Sequence, residues 1–170
     1  EKFEAVCFSE EPDMVLVVGD VNSTAACSLV ASKLHIKVCH YEAGLRSRDR
    51  NMPEEINRLV TDAITDLFIT TSADASENLI SEGILPENIH MLGNLMIDSL
   101  VSHLGLASTQ QLNLHDVTGN FLNLSWRTNS TPYAMMTFHR PSNVDNEDSL
   151  RILAEEWLKT PQIRPYIELD

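Results

Sequence analysis

Two carboxylates stand where two apolar runs of the chain end. Asp20 follows the run at residues 14–18, and Glu42 follows the run at residues 36–41. Ligands of open α/β sheets bind at the carboxyl ends of the strands, and consecutive strands are often neighbours. We therefore predict that both side chains face one crevice. Two carboxylates in one crevice suit acid and base roles, because each disfavours ionisation of the other.

A cluster of cations follows Glu42 in a short loop, and a helical pattern that opens at Pro53 comes next. The helix carries Glu54 and, four residues later, Arg58 on the same face, directed toward this loop. An anionic ligand would need such a local cationic patch in an otherwise acidic chain. The candidate loop cations are Arg46, Arg48 and Arg50.

Simpler structural roles remain open for the two strand-end carboxylates. Asp20 could cap the helix that begins near Asn22, although Asn22 itself competes for that role. Glu42 could form a salt bridge with one of the arginines that follow it, since charged residues rarely end buried strands without a partner.

The residues around Pro53 also have a structural interpretation. Asn51 and Glu54 have the spacing of a capping box, with Pro53 at the first helical position. Glu54 and Arg58 could form an ion pair along one face of the helix.

A histidine and an arginine end the predicted strand at residues 133–138. His139 and Arg140 precede a helical pattern, so they could contact a phosphate or act as a general acid. The other histidines lie at no spacing typical of a metal site; they are His35, His40, His90, His103 and His115.

The elements that must position these residues alternate between strand and helix, which predicts an α/β fold with a parallel sheet. The continuous apolar run at 14–18 predicts a strand covered on both faces. Helix 22–34 has an apolar stripe of Ala25, Ala26, Leu29, Val30 and Leu34, and the helix after Pro53 has one of Ile56, Leu59, Val60, Ala63 and Ile64. The remaining predicted strands are 66–71 and 88–92, and the remaining helices are 73–82, 96–104 and 145–158.

Composition limits the possible partners and the compartment. Twenty-five acidic residues against twelve lysines and arginines give a net charge of −13, which argues against nucleic-acid binding. Three cysteines at no metal-ligand spacing suit a reducing compartment, so we expect a cytoplasmic protein. No apolar run approaches the length of a membrane span, so we expect no membrane association.

Five motifs occur in one order along the chain. They are GDVNST (19–24), HYEAGLRSRDRNMPEEINR (40–58), the ENL-SEGI run (77–84), GN followed by ID (93–98) and FHRPSNVD (138–145). Together they resemble the non-hydrolysing UDP-N-acetylglucosamine 2-epimerases. The resemblance covers about residues 12–104 and 133–158, and its most specific part is EAGLRS…MPEEINR.

The resemblance implies a GT-B-type fold of two Rossmann-like domains with a UDP-sugar substrate held between them. Residues 1–104 would be the C-terminal part of the first domain, 105–132 a linker or crossover, and 133–170 the start of the second. We therefore expect this chain to be a fragment of a longer enzyme, truncated at both ends. We also expect the fragment to be inactive by itself. A homodimer of the full-length protein is a further expectation.

The resemblance also implies a reaction and a set of residues. UDP would be eliminated anti across C1 and C2 and would then re-add to a 2-acetamidoglucal intermediate, with no redox cofactor and no metal. Asp20, Glu42, Glu54 and His139 match the family's catalytic residues. The predicted substrate-binding residues are Arg58, Arg46, Asn22 and Arg140.

Three other functions remain open. The first is a 2-epimerase of UDP-2,3-diacetamido-glucuronic acid, whose extra carboxylate the loop arginines could bind. The second is a glycosyltransferase on the same GT-B scaffold, which the PEEINR string disfavours. The third is a non-catalytic module that binds nucleotide sugars.

Overall fold

The computed structural model describes residues 2–109 and 145–158. The chain divides into two compact units, residues 1–105 and 106–170. The helices are α1 (Lys2–Glu10), α2 (Asn22–Lys33), α3 (Pro53–Ala63), α4 (Ala73–Ser81), α5 (Leu95–Thr109) and α6 (Glu147–Leu158). The strands are β1 (Met14–Val18), β2 (Lys37–Tyr41), β3 (Leu67–Thr70) and β4 (Ile89–Met91), and a 3₁₀ turn at Pro86–Asn88 precedes β4.

The four strands form one parallel sheet in the order β1-β2-β3-β4. Each strand therefore pairs with the next strand along the chain, and Val18 of β1 lies opposite Tyr41 of β2. A helix connects each strand to the following one, and the connection from β3 to β4 contains the 3₁₀ turn as well. The predicted parallel α/β sheet is confirmed, and the carboxyl ends of all four strands meet at one edge.

Coverage of β1 differs from the prediction. Val17 is buried, but Leu16 and Val18 are 59% and 55% exposed. Because side chains alternate along a strand, one face of β1 packs on the domain and the other is open in the described structure.

The buried face of α2 also differs from the predicted stripe. Leu29 is 48% exposed, whereas Thr24, Ser28 and Ala31 are buried. These small side chains are four and three residues apart, so they share one face and let the helix approach the sheet closely. The Thr24 hydroxyl donates to the Val18 carbonyl at 2.7 Å, and Ser28 donates to the Thr24 carbonyl at 2.8 Å, which makes the polar face compatible with burial.

Two small apolar cores support the sheet. Val17, Ala31 and Val38 form one, and Ala43, Phe68 and Leu79 form the other. Among the described residues, none of the helices combines the length and apolar content that crossing a bilayer would require.

The helix α5 continues to Thr109, so the first five residues of the predicted linker are helical. The rest of that linker and the predicted strand at 133–138 lie outside the described residues. The predicted helix at 145–158 is present as α6, two residues shorter at its start.

Candidate active site

The ends of β1 and β2 bring Asp20 and Glu42 to adjacent positions at the carboxyl edge of the sheet. The Gly19 amide donates to the Tyr41 carbonyl at 3.0 Å, which fixes the two strand ends against each other. A Cβ built on Gly19 would lie 3.6 Å from Oε2 of Glu42, so this carboxylate lies beside the residue that precedes Asp20. The predicted proximity of the two strand ends is therefore present.

Glu42 has an unusual backbone conformation. Its φ is 72°, in the left-handed region that costs a non-glycine residue roughly 1–2 kcal/mol. The amides of Glu42 and Ala43 both donate to the Ile69 carbonyl at 3.1 Å, which holds this turn in place. Strained residues of this kind often occur at functional sites.

The helix α3 buries a polar face instead of its predicted apolar stripe. Glu55 and Asp62 are 2% and 3% exposed, whereas Ile56 and Val60 are 36% and 42% exposed. Glu55, Arg58 and Asp62 are three and four residues apart, so they lie on one side of the helix. This side faces the loop after β2 and the end of β1, where it supplies the charges of the site.

One group of charges, which we name the Arg58 cluster, consists of Asp20, Glu55 and Arg58. Nε and Nη2 of Arg58 donate to Oδ2 of Asp20 at 2.9 and 2.5 Å, and Nη1 donates to Oε2 of Glu55 at 3.0 Å. Asp20 remains 30% exposed. Within the described residues, its Oδ1 accepts no hydrogen bond, so one oxygen of Asp20 is open to a ligand.

Glu55 joins the loop after β2 to this cluster. Its Oε2 and Oε1 accept the amides of Ser47 and Arg48 at 2.9 and 2.8 Å. Burial acts to raise the pKa of Glu55, but these amides and Arg58 outweigh it and lower the pKa to about 2. Burial likewise acts to lower the pKa of Arg58, but Asp20 and Glu55 outweigh it and raise that pKa.

A second group, which we name the Arg46 cluster, consists of His40, Arg46, Asp62 and Glu82. Arg46 is 4% exposed, and its Nη1 lies 2.8 Å from Oδ2 of Asp62. Its Nε and Nη2 donate to the two carboxylate oxygens of Glu82 at 2.8 and 2.6 Å. Burial acts to lower the pKa of Arg46, but Glu82 and Asp62 outweigh it, so the pKa lies above its usual range.

Asp62 and His40 connect the Arg46 cluster to both strand ends. Oδ1 of Asp62 lies 2.6 Å from Nδ1 of His40, and Oδ2 accepts the Gly44 amide at 3.1 Å. Nε2 of His40 lies 2.8 Å from the carbonyl oxygen of Gly19. The pair therefore contacts the residue before Asp20 and the loop after Glu42.

The structural alternatives for the strand-end carboxylates do not apply. The N-cap of α2 is Val21, without a side-chain capping bond, so neither Asp20 nor Asn22 caps the helix. Asp20 pairs with Arg58 instead. Within the described residues, the Glu42 carboxylate makes no hydrogen bond or ion pair, so the expected salt bridge to a loop arginine is absent there.

The structural alternatives for Glu54 are also not observed. Pro53 begins α3 as predicted, but the N-cap is Met52, without a side-chain capping bond. Arg58 pairs with Asp20 and Glu55, and among the described residues the half-buried Glu54 carboxylate has no hydrogen bond. Glu54 therefore lies one helical turn before Arg58 with its carboxylate available.

The loop arginines have different environments. Arg46 is buried and paired with two carboxylates, which argues for a structural role instead of the predicted substrate contact. Arg48 and Arg50 are exposed, and Nη2 of Arg48 donates to Asn78 at 3.2 Å. The predicted substrate-binding residue Asn22 is exposed, and its side-chain oxygen accepts a hydrogen bond from Asn57 at 3.0 Å.

The second half of the predicted site, His139 and Arg140, lies outside the described residues. Their predicted roles therefore stay predictions.

Sequence reasoning missed Glu55, Asp62 and His40. The spacing of Glu55, Arg58 and Asp62 on one helical face was a usable signal, since three charges on the same side of a helix can share one environment. His40 carried little signal, because a histidine next to apolar residues in a strand is equally compatible with ordinary packing.

The arrangement can perform acid and base chemistry on an anionic or hydroxylated ligand. Asp20 and Glu42 offer carboxylate oxygens without protein partners in the described structure, at adjacent strand ends. Arg58 holds one oxygen of Asp20, so the position of that carboxylate is fixed before a ligand binds. A fixed carboxylate is suited to removing a weakly acidic proton.

Comparison with known proteins identifies relatives of the whole chain. Residues 1–164 match the family model described as UDP-N-acetylglucosamine 2-epimerase. A UDP-N-acetylglucosamine 2-epimerase homolog of Methanococcus maripaludis is 39% identical over 99% of this chain and 47% of its own length. A UDP-2,3-diacetamido-2,3-dideoxy-D-glucuronate 2-epimerase of Pseudomonas aeruginosa is 36% identical over 91% of this chain and 40% of its own length.

A solved structure gives the same result for the fold. The Methanocaldococcus jannaschii UDP-GlcNAc 2-epimerase, in complex with UDP-GlcNAc and UDP, matches 91% of this chain and 40% of its own with 41% identity and a TM-score of 0.72. The predicted fold class, a Rossmann-like parallel sheet of GT-B type, is thereby confirmed. The chain spans less than half the length of each of these three relatives.

Proposed function

Because this chain belongs to the UDP-N-acetylglucosamine 2-epimerase family, we propose that it forms part of a longer enzyme that interconverts UDP-N-acetylglucosamine and UDP-N-acetylmannosamine. In this proposal residues 1–104 are the C-terminal part of the first Rossmann-like domain, 105–132 link the domains, and 133–170 begin the second domain. In this proposal the second domain holds the UDP moiety.

The proposed reaction proceeds by elimination and re-addition. A base removes the C2 proton of the sugar, the C1–O bond to UDP breaks, and a C1–C2 double bond forms. UDP then adds back to C1 while an acid delivers a proton to the opposite face of C2. The C2 proton is weakly acidic, so its removal needs a positioned base, and the leaving diphosphate needs cations or acids on its oxygens.

We assign the acid and base roles on this chain to Asp20, Glu42 and Glu54. Arg58 orients Asp20 and provides positive charge near it, and Asn22 contacts the substrate from the start of α2. His139 and Arg140 are proposed to meet the diphosphate.

One observation carries the proposal: Asp20 and Glu42 lie at adjacent strand ends, each with carboxylate oxygen left unbonded by the described residues. A purely structural pair of carboxylates would be satisfied by donors, as Glu55 and Asp62 are. The left-handed backbone of Glu42 adds support, because strained residues of this kind often occur at functional sites.

The test is turnover by the full-length protein. Purified enzyme is incubated with UDP-N-acetylglucosamine, and the sugar nucleotides are separated by anion-exchange chromatography. We expect UDP-N-acetylmannosamine to accumulate to an equilibrium that is also reached from the reverse direction. Transfer of the sugar to an acceptor, or binding without turnover, would contradict the proposal.

One feature of the loop after β2 supports an alternative substrate. Arg48 and Arg50 are exposed, and the extra carboxylate of UDP-2,3-diacetamido-glucuronic acid would need such cations. Comparing kcat/KM for the two nucleotide sugars decides between them. We expect UDP-N-acetylglucosamine to be preferred; a higher kcat/KM for the glucuronic acid derivative would reverse the assignment.

Two further proposals concern the full-length protein in the cell. We place it in the cytoplasm, because its three cysteines are free and two of them, Cys7 and Cys39, are buried as reduced thiols would be.

We also propose a homodimer, supported by the exposed apolar side chains of α5, including Leu95, Met96 and Leu100. Fractionation of cells and sedimentation velocity of the purified protein test the two proposals separately.

A further inference from the structure

His40 is a buried histidine whose two ring nitrogens both face acceptors. Its side chain is 0% exposed. Nε2 lies 2.8 Å from the Gly19 carbonyl oxygen, and Nδ1 lies 2.6 Å from Oδ1 of Asp62. A carbonyl oxygen can only accept, so the contact with Gly19 requires a proton on Nε2.

The second contact places another proton between His40 and Asp62. With Nε2 protonated, a neutral imidazole would present a bare Nδ1 to the carboxylate, and two acceptors at 2.6 Å would repel. Either Nδ1 or the Asp62 carboxyl must therefore carry the proton. The environment of Asp62 distinguishes the two possibilities.

Asp62 is surrounded by donors that favour its ionised form. Its Oδ2 accepts the Gly44 amide at 3.1 Å and lies 2.8 Å from Nη1 of Arg46. Both interactions strengthen when the carboxylate is charged. The proton therefore belongs on Nδ1 of His40.

We propose that His40 carries a proton on both ring nitrogens and that His40 and Asp62 act as a positioning pair for the carboxylates of the site. Nε2 of His40 holds the carbonyl of the residue before Asp20. Asp62 holds the amide of Gly44, two residues after Glu42. One pair of side chains thus holds the backbone next to both carboxylates, at Gly19 before Asp20 and at Gly44 after Glu42. The positioning role rests on the proposed function, whereas the protonation of His40 does not.

The protonation is tested by NMR of the full-length protein labelled with ¹⁵N-histidine at pH 7. The His40 resonances are assigned from their loss in His40→Gln. We expect both ring nitrogens of His40 to show a directly bonded proton that exchanges slowly with water. His90, an exposed histidine on β4, provides the rapidly exchanging reference. A single protonated ring nitrogen in His40 would overturn the proposal.

The positioning role is tested by kinetics of two substitutions. His40→Gln retains a donor near the Gly19 carbonyl and loses the donor to Asp62, whereas His40→Asn does the reverse. We expect each to lower kcat about 100-fold and to leave KM within about twofold, since a shift of about 1 Å in a catalytic group costs that much. The control His90→Gln should keep the wild-type kcat.

Three outcomes separate the claims. An unchanged kcat in folded His40 variants would overturn the positioning role, and a rise in KM without a loss of kcat would do the same. Absence of epimerisation by the wild-type protein would overturn the proposed function and the positioning role together. In that case the NMR spectrum would still decide the protonation of His40.

Discussion

The Arg46 cluster and the Arg58 cluster both adjoin the ends of β1 and β2 and are each built around one arginine, but they differ in which carboxylate oxygens they leave unbonded. Arg46 is 4% exposed, and its partners Asp62 and Glu82 are bonded through both carboxylate oxygens, although Glu82 is 40% exposed. In the Arg58 cluster, no hydrogen bond from the described residues reaches Oδ1 of Asp20.

The difference shows how one edge of a sheet can hold a structural ion cluster and a reactive one. Glu55 and Asp62 satisfy loop amides as well as an arginine, which is typical of carboxylates that fix backbone. Within the described residues, no loop amide donates to the carboxylate of Asp20 or Glu42. We therefore infer that the first pair builds the site and the second pair reacts.

The largest expected effect concerns the reactive pair. Asp20→Asn in the full-length protein keeps an oxygen for Arg58 but removes the basic carboxylate, so epimerase kcat should fall about 10³-fold. The exposed Asp74 of α4 supplies the control, Asp74→Asn, which should retain wild-type turnover. Wild-type kcat in Asp20→Asn would remove Asp20 from the mechanism.

The structural cluster should show its largest effect in stability. Arg46→Met removes the buried cation that bonds both Asp62 and Glu82, so the free energy of unfolding should fall by about 3–5 kcal/mol in urea denaturation. The exposed Arg151 of α6 pairs with the exposed Glu147, and Arg151→Met should cost less than about 1 kcal/mol. Equal losses in the two variants would show that the Arg46 cluster is not structural.

Glu55 predicts a specific pH dependence of stability. Its pKa falls from the usual 4.5 to about 2 on folding, so its contribution is complete above pH 4.5 and is lost as pH falls toward 2. At about 1.36 kcal/mol per pH unit, the loss amounts to about 3 kcal/mol. Glu55→Gln should remove this part of the acid dependence, whereas Glu54→Gln should retain it. The free energy of unfolding is measured by urea denaturation between pH 2 and 6. If it depends on pH as strongly in Glu55→Gln as in the wild-type protein, our account is wrong.

The smallest expected effect separates backbone strain from chemistry. Gly19 has a φ of 67°, and among the described residues a Cβ there would meet Oε2 of Glu42, at the ordinary contact distance of 3.6 Å. Gly19→Ala should therefore destabilise the protein by about 1–2 kcal/mol. Gly83→Ala, with a φ of 93° and open space, should cost a similar amount. Only Gly19→Ala should also lower turnover, because strain at Gly19 moves the adjacent Asp20, and equal turnover in both variants would argue against a reactive Asp20.

The sequence predicted the parallel sheet for physical reasons, whereas the catalytic roles of Asp20 and Glu42 stay predictions. Apolar runs and helical stripes are local signals, and consecutive parallel strands place Asp20 and Glu42 at neighbouring ends. The buried faces of α2 and α3 could not be predicted from apolar stripes, because Thr24, Ser28, Glu55 and Asp62 are polar and are buried with hydrogen-bond partners that an apolar pattern does not reveal. Arg58 likewise pairs with Asp20, 38 residues away, instead of Glu54, and a contact between such distant residues cannot be read from helical spacing.

The most direct test of the central claim is the fate of the C2 proton. The full-length protein is incubated with UDP-N-acetylglucosamine in deuterated water, and the sugar is followed by ¹H NMR. We predict deuterium at C2 of both epimers with the wild-type protein, and incorporation about 10³-fold slower with Asp20→Asn or Glu42→Gln. Deuterium incorporation at the wild-type rate in both variants would contradict the assignment of the reactive pair.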